Sequence, residues 1–248
     1  MKLLNGRINS RFLRICLIVL VVTQAPGVAF CQIKSIIAFG DSLTEGCDVQ
    51  LPSDSECGWV GGYGYENELN SLLDNNGFSR FTVYNYGQGG ETTAEGVNRI
   101  DSVLNDACNK DADYILIMEG TNDLLHHLGW VDVLFNLDIM IDKSRDMGIE
   151  PLLATLTPDP EHEYKDIPLM NEKIREYAAN KNPQVILVDQ YNALAPNWDD
   201  YTNPRGCYGD LLHPNTTGFD AMGSVWYGSL SKLLPRSLPW LSLLLGTP

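Results

Sequence analysis

The sequence predicts an α/β fold, a five-stranded parallel sheet with helices on both faces, and three observations carry that prediction. Short apolar, β-branched runs alternate along the chain with segments of 3.6-residue apolar spacing, the order of strand–helix units rather than of segregated strands and helices. The strand-like runs are continuously apolar, as strands covered on both faces are. The 248 residues are 44% hydrophobic and 20% charged, ordinary proportions for one large domain with a sizeable core.

The first 29 residues stand outside this pattern. Lys2, Arg7, Arg11 and Arg14 form a basic segment without an acidic residue, followed by the apolar run Ile15–Val22. That run is too short to span a bilayer but has the length of a signal-peptide core, and Gly27-Val28-Ala29 offers a small-x-small cleavage site. A signal peptide over 1–29, cleaved after Ala29, is the expectation, against a buried strand or an uncleaved anchor. It implies a secreted or periplasmic protein in which disulfides can form. Cleavage would take the formal charge from −15 to −19. So acidic a chain is a poor binder of nucleic acid, whose affinity rests on clustered Lys and Arg, or of anionic membranes. Cys31 invites a lipid anchor, but Phe30 stands where such a signal wants a small residue.

The domain is read as 30–234. Strands are expected at 35–39, 81–86, 114–118, 151–155 and 185–188, and helices at 63–76, 92–108, 129–147, 168–180 and 215–234. No internal repeat or low-complexity linker divides it. Two long connections, 40–62 and 195–213, are places to look for function. An apolar tail, 235–248, contains LPWLSLLL at 238–245, again too short to cross a membrane. Docking on the sheet, contact with lipid and a sorting remnant all remain open for it.

In parallel α/β sheets the ligand crevice lies at the carboxyl ends of the strands. The polar residues there are Gly40-Asp41-Ser42-Leu43 after the first strand, Gly87-Gln88-Gly89-Gly90-Glu91-Thr92 after the second, Gly120-Thr121-Asn122-Asp123 after the third, and Asp210-Leu211-Leu212-His213 before the last helix. One sheet edge thus offers Ser, Gly, Asn, Asp and His. Acyl transfer from an ester needs such a set. A serine hydroxyl needs an adjacent base, a neutral His supplies it, and a carboxylate on the other ring nitrogen fixes the tautomer. The oxyanion needs donors already aimed at it, and the amides of Ser42 and Gly90 with the Asn122 side chain would supply three.

These four segments, GDSL, the glycine turn, GTND and DxxH, in this order and at these element ends, resemble the SGNH (GDSL) hydrolase family over residues 34–232. The resemblance implies a flavodoxin-like three-layer fold, an esterase or lipase activity and no cofactor or metal. It implies that Ser42 is the nucleophile, His213 the base and Asp210 the third triad member, and that Gly90 and Asn122 complete the oxyanion hole. Gly90 is chosen because the family's glycine usually precedes an acidic residue and a Thr, here Glu91-Thr92; Gly87 and Gly89 are the fallbacks. The long 40–62 loop with two Cys departs from the family pattern. No G-x-S-x-G pentapeptide is present, so an α/β-hydrolase elbow is not expected.

Other residues have plainer readings. Asp41 and Asp123 are expected to bond the backbone of their own turns. Asp210 has a rival role as a helix cap, although Pro214 argues that the helix begins later. His126-His127 point in different directions on a helix and lack a third ligand; they are candidate pocket lining. His162, in an acidic loop, is expected to be solvated. GQGGET lacks the last glycine of a dinucleotide loop, Thr92 standing in its place. Asn215-Thr216-Thr217 fits a glycosylation sequon. Trp59, Tyr63, Tyr65 and Trp130 either line an acyl or aryl pocket or pack on neighbouring helices. In a 2-1-3-4-5 strand order, Cys31 and Cys108 both lie at the amino edge and are expected to pair. Cys47–Cys57 would then close a short loop, leaving Cys207 free.

The function expected is hydrolysis of a small-molecule, lipid or sugar carboxylic ester through an acyl-enzyme, with no protein partner implied. A carbohydrate O-acetylesterase, an acyltransferase and a non-catalytic binding module are the rivals.

Overall fold

The computed structural model describes residues 33–50, 57–160, 166–206 and 208–235. The expected signal peptide, the apolar tail from 236 on, His162, Cys31 and Cys207 lie outside them. Strands β1 (Lys34–Gly40), β2 (Phe81–Gly87), β3 (Tyr114–Met118), β4 (Glu150–Ala154) and β5 (Ile186–Val188) form one sheet in the order β2-β1-β3-β4-β5, parallel at every pairing. All carboxyl ends therefore lie on one edge.

Side chains alternate across each strand, so the continuous apolar runs feed two cores. Ile36, Ala38, Leu116, Met118, Leu152 and Ala154 face one layer; Ile37, Phe39, Ile115, Ile117 and Leu153 face the other. The helices, in chain order, are α1 (Ser42–Glu45), α2 (Tyr65–Asn75), α3 (Thr93–Leu104), α4 (Thr121–Leu125), α5 (Trp130–Asp146), α6 (Asp166–Asn180), α7 (Gln190–Leu194), α8 (Trp198–Tyr201) and α9 (Thr216–Leu230). Helices α2 and α9 cover the first core, where Trp226 packs on Tyr65 at 5.9 Å between ring centroids. Helices α3, α5 and α6 cover the second. The three layers and the five strands match the expectation.

The five long helices match the sequence pattern, whereas α1, α4, α7 and α8 were not foreseen. Each is a single turn, too short to carry a period and too short to form alone. Strand ends and caps hold them: Asp41 Oδ1 accepts the Leu43 amide at 3.0 Å, and Asp189 Oδ1 accepts that of Asn192 at 3.2 Å.

The disulfide expectation is overturned. Cys108 pairs with Cys57, not with Cys31, so Cys57 is not the partner of Cys47, which is itself in a disulfide. The cause is the path of the loop. Its described residues beyond Cys57 return to the outer side of β2. Cys47 bridges Tyr63, Gln50 bridges Val60, and the Trp59 amide donates to the Asn85 carbonyl at 2.7 Å. Asn70 of α2 joins this cover by bonding both the amide and the carbonyl of Val83. An open strand edge attracts such pairing. It carries Cys57 round the flank of the sheet to the 3-10 turn Ala107–Asn109.

Close approach at the carboxyl edge requires one glycine above all. A Cβ on Gly87 would overlap the Glu45 backbone nitrogen. Gly87→Ala is expected to force α1 away from β2 and to cost about 1–3 kcal/mol of stability, the usual cost of overpacking. Urea denaturation of the variant checks this.

Candidate active site

Ser42 is the first residue of α1, immediately beyond β1 and the cap Asp41. As a first-turn residue its amide has no intrahelical acceptor. His213 arrives from the other end of the chain, just before Asn215 caps α9. Its Nε2 stands 2.8 Å from Ser42 Oγ and its Nδ1 2.8 Å from Asp210 Oδ2. The other Asp210 oxygen accepts the amides of His213 at 2.8 Å and Leu212 at 3.1 Å. Asp210 therefore orients the ring and its segment, and the helix-cap role belongs to Asn215. Burial pushes the Asp210 carboxyl up, but the His213 amide and ring and the Leu212 amide outweigh it and hold the group below its ordinary value. With the proton on Nδ1 facing an ionised Asp210, Nε2 is the acceptor for the Ser42 hydroxyl.

The second strand end contributes a tight turn in which the Glu91 amide donates to the Gln88 carbonyl at 3.2 Å. Gly90 holds the positive-φ position of that turn (+77°), and a Cβ there would meet nothing within 4 Å, so the backbone faces open space. Gly89 lies against the Glu45 carboxylate instead, and Gly87 is packed under α1. Of the three glycines, Gly90 is the one whose backbone faces open space. Asn122, at the start of α4, donates one amide hydrogen to the Glu91 carbonyl at 2.9 Å, which keeps it beside the Gly90–Glu91 turn.

Behind these groups lie four carboxyls, Asp41, Glu91, Glu119 and Asp123, none more than 1% exposed. Arg99 of α3 is set against them. Its guanidinium takes both Glu91 oxygens, donates to the Tyr86 carbonyl at 2.8 Å and lies 4.2 Å over the Phe39 ring. It also reaches the Gly40 carbonyl at 3.5 Å. Thus one cation ties together the ends of β1 and β2 and the Gly90–Glu91 turn. Burial, with Glu91 beside it, pushes Glu119 well up, while Arg99 opposes. Burial also pushes Asp41 up to about 7, its bond to the Leu43 amide opposing and Glu91 and Asp123 adding to the rise. Glu66 in α2 is likewise pushed up to about 8 by burial.

The remaining sequence candidates are placed as follows. Asp41 bonds its own turn, as expected. Asp123 does not: it accepts the Thr93 amide and hydroxyl at 2.8 and 2.6 Å and so anchors the start of α3, because α4 turns it towards that helix. Tyr65 is core. Tyr63 bonds Asp220 at 2.9 Å, and Trp59 donates to the Gly87 carbonyl at 2.6 Å. Trp130 and His127 line a pocket of about 210 Å³ with Leu124, Leu128, Leu169 and Met170, a few residues beyond Asn122. Asn215 uses its amide to cap α9 and to bond the carbonyls of Asp200 and Pro204. That is a structural duty for the sequon asparagine. Among the described residues no three His, Cys, Asp or Glu side chains are placed to hold a metal. Sequence reasoning missed Glu45, Arg99, Glu119 and Tyr208. The eight-residue spacing from Glu91 to Arg99 was a signal in principle, too common to be read alone.

A serine, a histidine and a carboxylate in hydrogen-bonded series beside a glycine turn and an asparagine amide are the groups that acyl-group hydrolysis requires. The chain belongs to the GDSL-like lipase/acylhydrolase family, whose model matches residues 38–221. Among solved structures, a lipolytic G-D-S-L family protein from Veillonella parvula is similar at 23% identity and TM-score 0.60, over 80% of this chain and 99% of that one. A lipase/acylhydrolase from Enterococcus faecalis is similar at 21% identity and 0.65, over 83% and 99%. A catalytic mutant of an acetylxylan esterase from Geobacillus stearothermophilus is similar at 17% identity and 0.66, over 80% and 94%. No curated protein matches the chain.

Two outcomes are expected. The folded state keeps protons on Asp41 and Glu66 that the unfolded chain releases above about pH 4, so stability falls as pH rises from about 4 to about 8. Glu66→Gln should flatten the upper part of that slope in denaturant titrations at fixed pH values. Arg99→Leu leaves Glu91 buried without its cation and should cost about 3–5 kcal/mol, measured by the same titrations.

Proposed function

We propose that this protein is an exported serine esterase that cleaves carboxylic esters through an acyl-enzyme. The observation that carries the reading is the continuous series Ser42 Oγ, His213 Nε2, His213 Nδ1, Asp210 Oδ2, with both hydrogen bonds at 2.8 Å. In it, Ser42 Oγ attacks the ester carbonyl as His213 Nε2 takes its proton. Asp210 stabilises the resulting imidazolium. The amides of Ser42 and Gly90 and the Asn122 side chain receive the oxyanion. His213 then returns the proton to the alcohol oxygen as the C–O bond breaks. Water, deprotonated by the same nitrogen, releases the acid and restores Ser42. Export rests on the 1–29 segment and on the use of Cys57, Cys108 and Cys47 in disulfides. The acetylxylan esterase among the similar folds favours one second reading, a carbohydrate O-acetylesterase.

A fluorophosphonate probe is expected to modify Ser42, located by mass mapping, and to lose that reaction in His213→Ala. Ser42→Ala should lower kcat by at least about 10³-fold with an unchanged unfolding curve. A folded, unlabelled wild-type protein that hydrolyses no acyl ester would sink the reading. Acetylated xylan set against p-nitrophenyl acyl esters of increasing length separates the two substrate classes.

A further inference from the structure

The leaving alcohol of an ester is placed by chemistry. Its oxygen must come within reach of His213 Nε2, so the alcohol half lies over whatever flanks that ring. One residue flanks it closely. The Tyr208 ring packs on the His213 ring at 4.5 Å between centroids, tilted by 57°, and Tyr208 as a whole remains 55% exposed. Its hydroxyl donates to the Gly46 carbonyl at 3.4 Å, so the ring is held at both ends between the catalytic loops. An aromatic ring fixed against a catalytic histidine and open to solvent has no packing role that accounts for its exposure.

The charges around it are one-sided. Burial raises the Tyr208 hydroxyl pKa, and the carboxylates of Glu45, Asp48 and Asp210 raise it further. Glu45 also acts directly on His213 and lies against Gly89 in the turn. Asp210 is hydrogen-bonded to His213, whereas Glu45 bonds the Gly89 amide and feels His213 and Arg99 only through space. Of the nearby cations, Arg99 bonds Glu91 and the strand ends while also acting on Glu45 through space, and Arg205 bonds the Gly209 carbonyl at 2.7 Å. A ring face beside carboxylates attracts a cation by its quadrupole and by Coulomb force together, and suits a bulky ammonium group in particular.

Resting on the esterase reading above, we propose that Tyr208 is the residue that selects the alcohol half of the substrate, and that with Glu45 and Asp48 it favours esters of cationic amino alcohols over neutral ones of the same shape.

Two esters with the same acyl group isolate this effect, because both pass through the same acyl-enzyme and differ only in the alcohol that leaves. Acetylcholine and 3,3-dimethylbutyl acetate are such a pair, with a carbon in place of the charged nitrogen. The ratio of their kcat/KM values is expected to favour the cation by about tenfold at low salt and to shrink as salt is added. Tyr208→Leu should bring the ratio close to one. Tyr208→Trp, which keeps a ring, should retain it, a rescue that mere support of the His213 ring does not require. Glu45→Gln combined with Asp48→Asn should lower the ratio and remove its salt dependence. A wild-type ratio of one or less overturns the proposal, as does a ratio unmoved by Tyr208→Leu. So does turnover of p-nitrophenyl acetate with rejection of both test esters. Failure to hydrolyse any of the three would instead overturn the esterase reading itself.

Discussion

Four carboxyl groups are buried behind the edge that carries Ser42, and one guanidinium answers them. Born costs forbid four unpaired anions in such a place, and three routes lower that cost. Glu91 is paired with Arg99, Asp123 is bonded by Thr93, and Asp41 and Glu119 are pushed towards their neutral forms. Every route has a mechanical by-product. The Arg99 fork pins the ends of β1 and β2, Thr93 joins α3 to α4, and the Glu91 carbonyl holds Asn122 beside Gly90. The placement of Asn122 beside the Gly90 turn therefore depends on an electrostatic settlement one layer below it.

The hydrogen-bonded series of Ser42, His213 and Asp210 spans the chain from residue 42 to residue 213, and no local sequence feature could bring its ends together. The parallel sheet does so. With all strands pointing one way, a residue just past any strand lies on the same edge, and the order β2-β1-β3 puts the Ser42, Gly90 and Asn122 segments side by side. The Asp210–His213 segment then needs only to be held over β1. Asp210 fixes the shape of the segment with three bonds, two to amides and one to the ring, and bonds from Trp198 to the Leu211 carbonyl, from Tyr208 to the Gly46 carbonyl and between His213 and Ser42 tie it in place.

This division explains what could be read in advance. Strands and long helices announce themselves through periodic burial, so Ile36 to Phe39 and Tyr114 to Met118 were legible as sheet without any partner in view. Ser42, Gly90, Asn122, Asp210 and His213 were legible because each sits at a strand end or beside a cap, in a short run of unusual composition. The supporting residues were not. Arg99 looks like any exposed helical arginine until Glu91 is seen next to it, and Tyr208 like any loop aromatic until His213 lies under it. The disulfide failed for a related reason: the pairing of Trp59 with Asn85, which carries Cys57 to Cys108, depends on a free strand edge and leaves no mark in composition.

That same cover on β2 has a consequence for how the protein behaves among copies of itself. A sheet with two bare borders is a template on which further strands can grow. Here one border is closed by Trp59, paired with Asn85, and by Asn70, whose amide imitates a neighbouring strand at Val83; the opposite border, β5, is only three residues long. Among the described residues, neither side offers a run of free peptide groups long enough to recruit another chain. A strongly acidic surface adds repulsion between molecules. The loop that departs from the family pattern thus also serves as a seal, keeping a sheet of continuous apolar strands from becoming the seed of a larger one.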